Sequence, residues 1–551
     1  MPGSWLLLPI LFPLLGGLGV LGIHTLKTRR RVIFLLLAVQ LALVAVLGAR
    51  AAEPAQILTL AGGVRLVLQA DALGRLFSLL ICAVWLAVAV FAFEYMNHEG
   101  HRERFFGFYL MTLGAMMGVC FAGNLVTLYL FYEMMTLLSV PLVLHIGTRK
   151  ALDAAYRYLG FSVAGAGLGL LGLFVLQGYC TTDLFTPGGV LDALRAGEDR
   201  ELLLAVFFVM AIGFGCKAGM FPLHAWLPIA HPVAPAPASA VLSGLITKMG
   251  VLDALRAGED RELLLLVFFV MAVGFGCKAG MFPLHAWLPI AHPVAPAPAS
   301  AVLSGLITKM GVLALIRVVY YLFGWSFLDG SWAQTAVLVL SLITVFMGSS
   351  LALREDTLKK RLAYSTVSQV SYVIFGLMLF HPLALEGAIY QAVFHAIAKN
   401  ALFMATGAII YQTHLTQVSQ LRGIGGPYSI TMWCFTLASL SLVGIPPTGG
   451  FVSKWFLAEG ALASETGPMA FWGIGVLMVS ALLTAGYLLP IVVRAFFPGK
   501  DFDQQSVVRQ QNTWLMWITL CLLTAAVVLL GMFPGVLDPL MEGIVSPMFQ
   551  G

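Results

Sequence analysis

Residues 276–311 read GCKAGMFPLHAWLPIAHPVAPAPASAVLSGLITKMG, and this stretch determines how the rest of the chain is interpreted. Lys278 and Lys309 lie in apolar surroundings, and Pro283 follows the first lysine within a few residues. A proline removes a helix hydrogen bond and frees carbonyl groups. In a membrane, such a broken helix is tolerated where it lines a cavity or a wet path. The stretch therefore predicts a discontinuous membrane helix that carries a buried lysine.

Comparable charges occur in other apolar segments of the chain. They are Lys217, Lys248, Lys399, Lys454 and, in the run NLVTLYLFYEMMTLLSVPLVL, Glu133. A charged side chain in the middle of a bilayer is costly, so each of these residues is a functional-site candidate. Because they recur on successive hydrophobic segments, they indicate a path along which protons or cations move.

The composition places the chain in the membrane. Of its 551 residues, 60% are hydrophobic and only 10% are charged, and the mean hydropathy is +0.93. The long apolar runs show no strand alternation, which favours an all-α, polytopic membrane protein over a barrel. The net charge of +5 does not indicate nucleic-acid binding, because the basic residues lie in short loops. The seven cysteines form no CxxC or Cys/His cluster, so we expect no metal site and no bound redox cofactor.

The apolar segments follow one another with short loops, so residues 1–551 form a single membrane domain. They fall near 4–23, 32–49, 73–95, 105–122, 124–146, 154–178, 201–221, 237–251, 262–282, 298–323, 334–353, 363–380, 384–411, 428–446, 468–496 and 513–535. If the amino terminus faces outward, 17 Lys and Arg residues lie in inner loops and 8, with Arg317 among them, lie outside. The positive-inside rule then predicts a multi-pass protein of the cell (inner) membrane with both termini outside.

An internal repeat interrupts this pattern. Residues 191–251 recur at 252–312 with two differences, Ala205/Leu266 and Ile212/Val273. The unit is a helix pair, and the near-identity indicates a recent tandem duplication or a sequence-assembly error. The simplest count is a core of about 14 helices plus one extra pair. We favour Lys278 and Lys309 over Lys217 and Lys248 as the working copy, because the second copy keeps both spans at full length.

Five segments, in order, carry a resemblance to a known family. They are NLVTLYLFYEMMTLLS (124–139), the repeated GCKAGMFPLHAWLPIAHPVAPAPASAVLSGLITKMG (215–250 and 276–311), LKKRLAYSTVSQVSY (358–372), HAIAKNALFMATGAII (395–410) and GIPPTGGFVSKWFL (444–457). Together they resemble the antiporter-like subunits of respiratory complex I (M/N/L-type), Mrp cation/proton antiporters (D-type) and membrane-bound hydrogenases. The resemblance implies two inverted five-helix repeats, each with a half-channel around one broken helix.

Roles for the charged residues follow partly from their surroundings and partly from this resemblance. Glu133 is either a protonated carboxyl in an apolar groove or half of an ion pair, and the resemblance implies Lys217 or Lys278 as its partner. When this pair separates, the lysine holds its proton less tightly and passes it toward Lys309, His395 and Lys399. His395 lies four residues before Lys399 on the same helical face, where imidazole is either a structural group or a proton relay. Lys454, which follows a second break at Pro446 and Pro447, is expected on the exit side.

The histidines around the broken helix, His285 and His292 in the second copy, fit interface packing and proton uptake equally well. The sequence thus predicts an H⁺- or Na⁺/H⁺-translocating subunit of a complex I-like, Mrp or hydrogenase assembly. We expect it to be a non-catalytic subunit of an oxidoreductase-type translocase, with other membrane subunits as partners. Two other classes compete, a stand-alone secondary transporter and a quinone-binding redox subunit, although no distinctive quinone cavity is evident.

Overall fold

The computed structural model describes residues 2–50, 52–60, 63–145, 163, 165–218, 260–282, 284–499 and 513–550. Within these ranges the regular secondary structure is helical apart from one short hairpin, and it includes a four-residue helix, Trp325–Leu328. The helices are α1 (Leu8–Leu21), α2 (Leu26–Ala49), α3 (Ala72–Tyr95), α4 (Arg102–Cys120), α5 (Leu125–Val143), α6 (Gly165–Gln177), α7 (Ala193–Glu198), α8 (Arg200–Ala218), α9 (Asp260–Ala279), α10 (Trp287–Val294), α11 (Ala297–Phe323), α12 (Trp332–Arg354), α13 (Leu358–Leu377), α14 (Pro382–Thr413), α15 (Ser429–Val443), α16 (Gly449–Ala463), α17 (Pro468–Phe496), α18 (Trp514–Met532) and α19 (Asp538–Phe549).

Ten helices of the described ranges are long and apolar enough to cross a membrane. The chain is therefore a polytopic, all-α membrane protein, as the sequence predicts. Two predicted segments, 298–323 and 384–411, agree closely with α11 and α14. The total of about 14 core helices and their arrangement as two inverted repeats stay predictions. Segment 237–251 and Lys248 lie outside the described residues.

Polar side chains begin several of the helices. Asp71, Asn124 and Ser331 each accept a hydrogen bond from the backbone N–H three residues later, at the starts of α3, α5 and α12. Such caps satisfy backbone donors that have no partner inside the helix.

A two-stranded antiparallel hairpin precedes α3. It pairs β1 (Ala55–Thr59) with β2 (Arg65–Leu68), and Thr59 lies opposite Arg65. No strand was predicted from the sequence. The hairpin is a small addition to the predicted all-helical fold.

Two helices form the centre of the molecule. The apolar stretch of α11 is 100% buried and that of α14 is 94% buried, whereas those of α1, α2, α17 and α18 are about one-third buried. Helix α14 packs against α11, α13, α15, α16 and α18. The outer helices present apolar side chains such as Leu482 and Trp472 outward, which is the surface that lipid requires. The buried polar residues described below lie on the central helices.

Two helices are interrupted next to lysines. Helix α9 ends at Ala279, directly after Lys278, and the next residue, Gly280, has a φ of +88°. Helix α15 ends at Val443, where Gly444 has a φ of +93°, and α16 begins at Gly449 shortly before Lys454. A positive φ is accessible to glycine at little cost, so each break is built at a residue that permits it. A helix break is present next to each of these lysines, while Pro283, the residue predicted to cause the first break, lies outside the described residues.

Helix α11 contains two π-helical stretches, Leu303–Ile307 and Arg317–Phe323. Arg317 therefore belongs to a membrane helix and is buried, so its assignment to an outer loop was wrong. Its charge is retained inside because Asp71, the cap of α3, faces it. Both Arg317 Nη atoms donate to the Asp71 carboxylate at 2.6 and 2.7 Å, and the Tyr321 hydroxyl donates to the same group at 3.0 Å.

Candidate functional site

Glu133 lies in the middle of α5 and is half-buried. Tyr129, one helical turn earlier, interacts with its carboxylate. A cavity of about 230 Å³ adjoins Glu133. It is lined by Tyr129, Leu130, Glu133, Leu137, Val163, Ala166, Gly167 and Leu170. Glu133 thus lies between a tyrosine and a mostly apolar cavity.

Lys278 reaches the same face of α5 from the last turn of α9. Its Nζ donates to Thr136 Oγ1 at 2.6 Å and lies 5.4 Å from the centre of the Tyr132 ring. Thr136 is three residues after Glu133, so the two side chains share one side of the helix. The structure thereby brings Lys278 into the neighbourhood of Glu133, while the ion pair between them stays a prediction. Lys217 lies at the corresponding end of α8.

Lys309 and His395, two of the predicted residues, are in direct contact. Lys309 Nζ lies 2.6 Å from His395 Nδ1, and the two residues are 1% and 2% exposed. An ammonium group only donates, so Nδ1 accepts and a neutral imidazole carries its proton on Nε2. Helical spacing in the sequence relates His395 only to Lys399, because a contact across α11 and α14 leaves no local pattern.

Backbone geometry brings α11 and α14 close enough for that contact. A Cβ atom at Gly305 would lie 1.8 Å from Asn400 Nδ2 and 3.1 Å from the Ala396 carbonyl oxygen, so a larger residue would displace the Asn400 side chain and press on the backbone of α14. Gly305 belongs to the first π-helical stretch, where Ser304 C=O accepts from Lys309 Nζ at 3.0 Å and from the Thr308 hydroxyl at 2.7 Å. Single-turn π stretches leave carbonyls available and occur often at functional sites.

Lys399 is fully buried near the middle of α14. Its Nζ donates to Leu362 C=O at 2.8 Å, and it lies 6.0 Å from the centre of the Phe403 ring. The Thr366 hydroxyl donates to the same carbonyl at 3.0 Å and lies 2.5 Å from the Ser304 hydroxyl. The surroundings of Lys399 and Lys309 are therefore connected through Thr366 and Ser304.

Lys454 lies in α16 with its ammonium group at the carboxyl end of α15. It donates to Leu442 C=O and, at 2.8 Å, to Val443 C=O, and it lies 5.3 Å from the centre of the Tyr372 ring. The last carbonyls of a helix have no partner inside it and carry partial negative charge. The helix break thus supplies the acceptors that hold this buried ammonium group.

Several polar groups in the interior were missed from the sequence. Asp71 was overlooked because it lies 246 residues from Arg317, although a charge inside the apolar run 298–323 was a visible signal. Gln369, Gln391, Ser304 and Thr366 are neutral, and neutral polar residues are common in helices that pack together.

His292 also proves to be internal. It is fully buried and stacks on Phe403 with ring centres 4.7 Å apart, and neither ring nitrogen has a hydrogen-bond partner in the described part of the chain. The same described part contains no group of three His, Cys, Asp or Glu side chains that could hold a metal ion.

Two protein families match parts of the sequence. The family described as NADH:quinone oxidoreductase/Mrp antiporter, transmembrane region, matches residues 122–262 and 254–484. The N-terminal region of complex I chain 5 matches residues 61–106. The first match comes in two pieces, and each contains one copy of the repeated helix pair.

Two relatives and one solved structure show how far the similarity extends. The N-type subunit of NADH-quinone oxidoreductase from Desulforudis audaxviator is 31% identical over 440 residues, which cover 79% of this chain and 74% of that protein. The D-type subunit of the Na⁺/H⁺ antiporter from Alkalihalophilus pseudofirmus is 26% identical over 440 residues, covering 80% and 75%. A chain of the Mrp complex from Dietzia sp. shares the fold, with a TM-score of 0.73 at 21% identity, covering 100% of this chain and 98% of that one. From the family match over more than half of its length, the chain belongs to the NADH:quinone oxidoreductase/Mrp antiporter family of membrane proteins.

Proposed function

We propose that this chain is an antiporter-like subunit that moves protons through the middle of the membrane. The observation that carries this proposal is the 2.6 Å contact between Lys309 and His395, buried at the centre of the molecule with Lys399 one helical turn away. A lysine and a histidine in direct contact can exchange a proton between nitrogen atoms. Residues that served only to pack helices would not require two buried ammonium groups so close together.

The remaining candidates extend this centre on both sides. Glu133 and Lys278 form the first part, where separation of the ion pair releases the proton of the lysine. Lys309, His395 and Lys399 form the middle, and Lys454 forms the exit-side group. If the duplicated pair instead works through its first copy, Lys217 and Lys248 replace Lys278 and Lys309.

The chemistry of the path favours H⁺ over Na⁺ as the ion that it carries. Its described groups beyond Glu133 are ammonium, imidazole, hydroxyl and carbonyl groups, and ammonium repels a metal cation. Na⁺ exchange, if it occurs, then belongs to another part of the complex.

The assembly and orientation follow from the relatives and from the loop charges. Both relatives are named as subunits of larger assemblies, which supports other membrane subunits of a complex I-like, Mrp-type or hydrogenase complex as partners. We place both termini on the outer side of the cell membrane, since removal of Arg317 from the outer loops strengthens the positive-inside bias.

The test uses the complex that contains this chain, purified through a tag on the chain and reconstituted in liposomes with a pH-sensitive dye inside. An imposed membrane potential drives ion movement. We expect Lys399→Ala to abolish the pH change, because it removes a buried proton-carrying group.

The matched control is Lys360→Ala. Lys360 is a half-exposed lysine that pairs with Glu355 at 2.8 Å, outside the path, and its loss should leave the rate unchanged. Full activity of Lys399→Ala in an assembled complex would contradict the proposal.

A further inference from the structure

The proposed function leaves a gap between the middle of the path and Lys454. The hydrogen bonds described for Lys454 go to the carbonyls at the end of α15, and none goes to His395 or Lys399. A backbone carbonyl accepts a hydrogen bond but has no proton to pass on. Other groups must therefore connect α14 with α16.

One face of α14 continues past His395 toward α16. Gln391, His395 and Lys399 are spaced by four residues, which places them on one stripe of the helix. All three are at most 2% exposed. The stripe therefore runs from Lys399 through His395 to the polar amide of Gln391.

A chain of hydrogen bonds extends from that amide to the residue beside Lys454. Gln391 Nε2 donates to Gln369 Oε1 on α13 at 2.8 Å. Ser453 Oγ, on α16, donates to Gln391 Oε1 at 2.6 Å. Three helices, α13, α14 and α16, thus meet at Gln391.

Two buried donors beside this chain have no acceptor in the described ranges. They are His395 Nε2, left over after Nδ1 contacts Lys309, and Gln369 Nε2. An unsatisfied donor in a buried site is costly, and an internal water molecule usually satisfies it. Both donors lie on the α13–α14 side of the gap, where the amide pair keeps the surroundings polar.

We propose that Gln369, Gln391 and Ser453 hold the water that connects His395 with Lys454, and that Gln391 is the positioning residue of this link. The inference rests on the proposed function and adds a named connection to it. Protons cross the gap through the bound water, and the amides orient that water without changing their own protonation.

The alternative is that the three side chains only bind the helices together, as polar residues do in many membrane proteins. A control on the same helix separates the two roles. Gln412 is also buried on α14 and donates to Thr513 Oγ1 at 2.9 Å, about 30 Å along the helix from Gln391. Gln391→Leu and Gln412→Leu each remove an interhelical amide, but only the first lies beside the path.

The experiment measures proton movement by the reconstituted complex in H₂O and in D₂O. We expect Gln391→Leu to slow it about tenfold, the scale of one lost hydrogen-bonding group, and to increase the solvent isotope effect. The isotope effect rises because the water-mediated step becomes rate-limiting. Gln391→Asn, which keeps an amide beside the gap, should retain more of the rate than Gln391→Leu, and Gln412→Leu should change neither quantity.

Ser453→Ala tests the other end of the link and should reproduce the isotope effect even if Gln391→Leu does not assemble. Equal losses in Gln391→Leu and Gln412→Leu, or an unchanged isotope effect in Gln391→Leu and Ser453→Ala, would overturn the inference. Lys399→Ala distinguishes this outcome from failure of the proposed function. If Lys399→Ala is inactive and Gln391→Leu behaves like wild type, only the proposed water link is refuted. If Lys399→Ala is active, the proposed function itself is refuted.

Discussion

At the scale of single residues, Arg317 and the lysines Lys309, Lys399 and Lys454 are held by different kinds of partner. Arg317 is held by a carboxylate in a bidentate pair, with the Tyr321 ring 4.5 Å from its guanidinium group. The described acceptors of Lys309, Lys399 and Lys454 are instead carbonyls, a hydroxyl and an imidazole. A guanidinium stays protonated and suits a permanent contact, whereas an ammonium group can lose its proton. We infer that the Arg317–Asp71 pair stabilises the fold, whereas the lysines serve in proton transfer.

This distinction predicts the effect of Asp71→Asn. The substitution leaves Arg317 buried without its counter-charge, which should destabilise the protein by about 3–5 kcal/mol. Thermal unfolding of the purified protein measures this as a lower Tm. The control is Asp183→Asn, which removes an exposed pair with Arg65 and should cost at most about 1 kcal/mol. Similar Tm values for the two variants would show that the Asp71 pair is not structural.

The same pair has a pH signature. Burial raises the pKa of Asp71, but the charge and hydrogen bonds of Arg317 outweigh burial and hold the pKa below its usual value. A lowered folded-state pKa stabilises the protein above the ordinary Asp pKa, and this contribution disappears as the pH falls. The Tm difference between wild type and Asp71→Asn should therefore shrink below about pH 4.

The sequence identified the candidate lysines, whereas most of the contacts between helices that surround them were not predicted. A charged residue inside a long apolar run is visible in the sequence, so Lys278, Lys309, Lys399 and Lys454 could be found from their sequence neighbours. Helical spacing relates His395 only to Lys399 on the same helix, and it was the family resemblance that placed Lys309 next to His395 in the predicted path. Contacts between helices, such as Gln391 with Ser453, depend on packing that no local pattern encodes.

At the scale of elements, the breaks in α9 and α15 place lysines beside helix carboxyl ends. Apolar runs bounded by loops predicted α11 and α14 closely, because burial on all sides gives long uninterrupted hydrophobic segments. The π stretches of α11 were not predicted, since they add no residue pattern of their own. The β1–β2 hairpin was missed because two strands of four and five residues carry little periodicity.

The duplicated helix pair gives a prediction about its two lysines. Lys278 contacts α5 through Thr136, and its copy continues into the complete helix α11. We expect Lys278→Ala to abolish ion movement and Lys217→Ala to leave it intact, measured in reconstituted vesicles. These two substitutions are matched, because the surrounding sequences are nearly identical. The reverse result would move the working site to the first copy.

At the scale of the whole molecule, the polar groups are collected on a buried centre within an apolar exterior. The first copy of the repeat adds α7 and α8, and α8 packs beside α9. The two copies are so similar that deleting 191–251 or 252–312 gives chains that differ at only two positions. Either deletion therefore produces almost the same protein.

We predict that the chain lacking residues 191–251 assembles and moves ions at a rate close to that of the full chain. The physical reason is that the remaining copy supplies a complete broken helix and the helix that follows it. Co-purification of partner subunits and the vesicle assay measure the two properties. Assembly without ion movement would show that the extra helix pair takes part in transport.

The depth of the lysines has a further consequence. Lys309 and Lys399 lie near the midpoints of the two central helices, and Lys278 and Lys454 lie at helix breaks between membrane segments. On the proposed path a proton would travel sideways along this row, so the electrical potential would do little work on these transfers. The voltage acts instead on loading from one side and on release to the other. Each of these steps crosses about half of the field, which corresponds to roughly 1.2 kcal/mol per 100 mV.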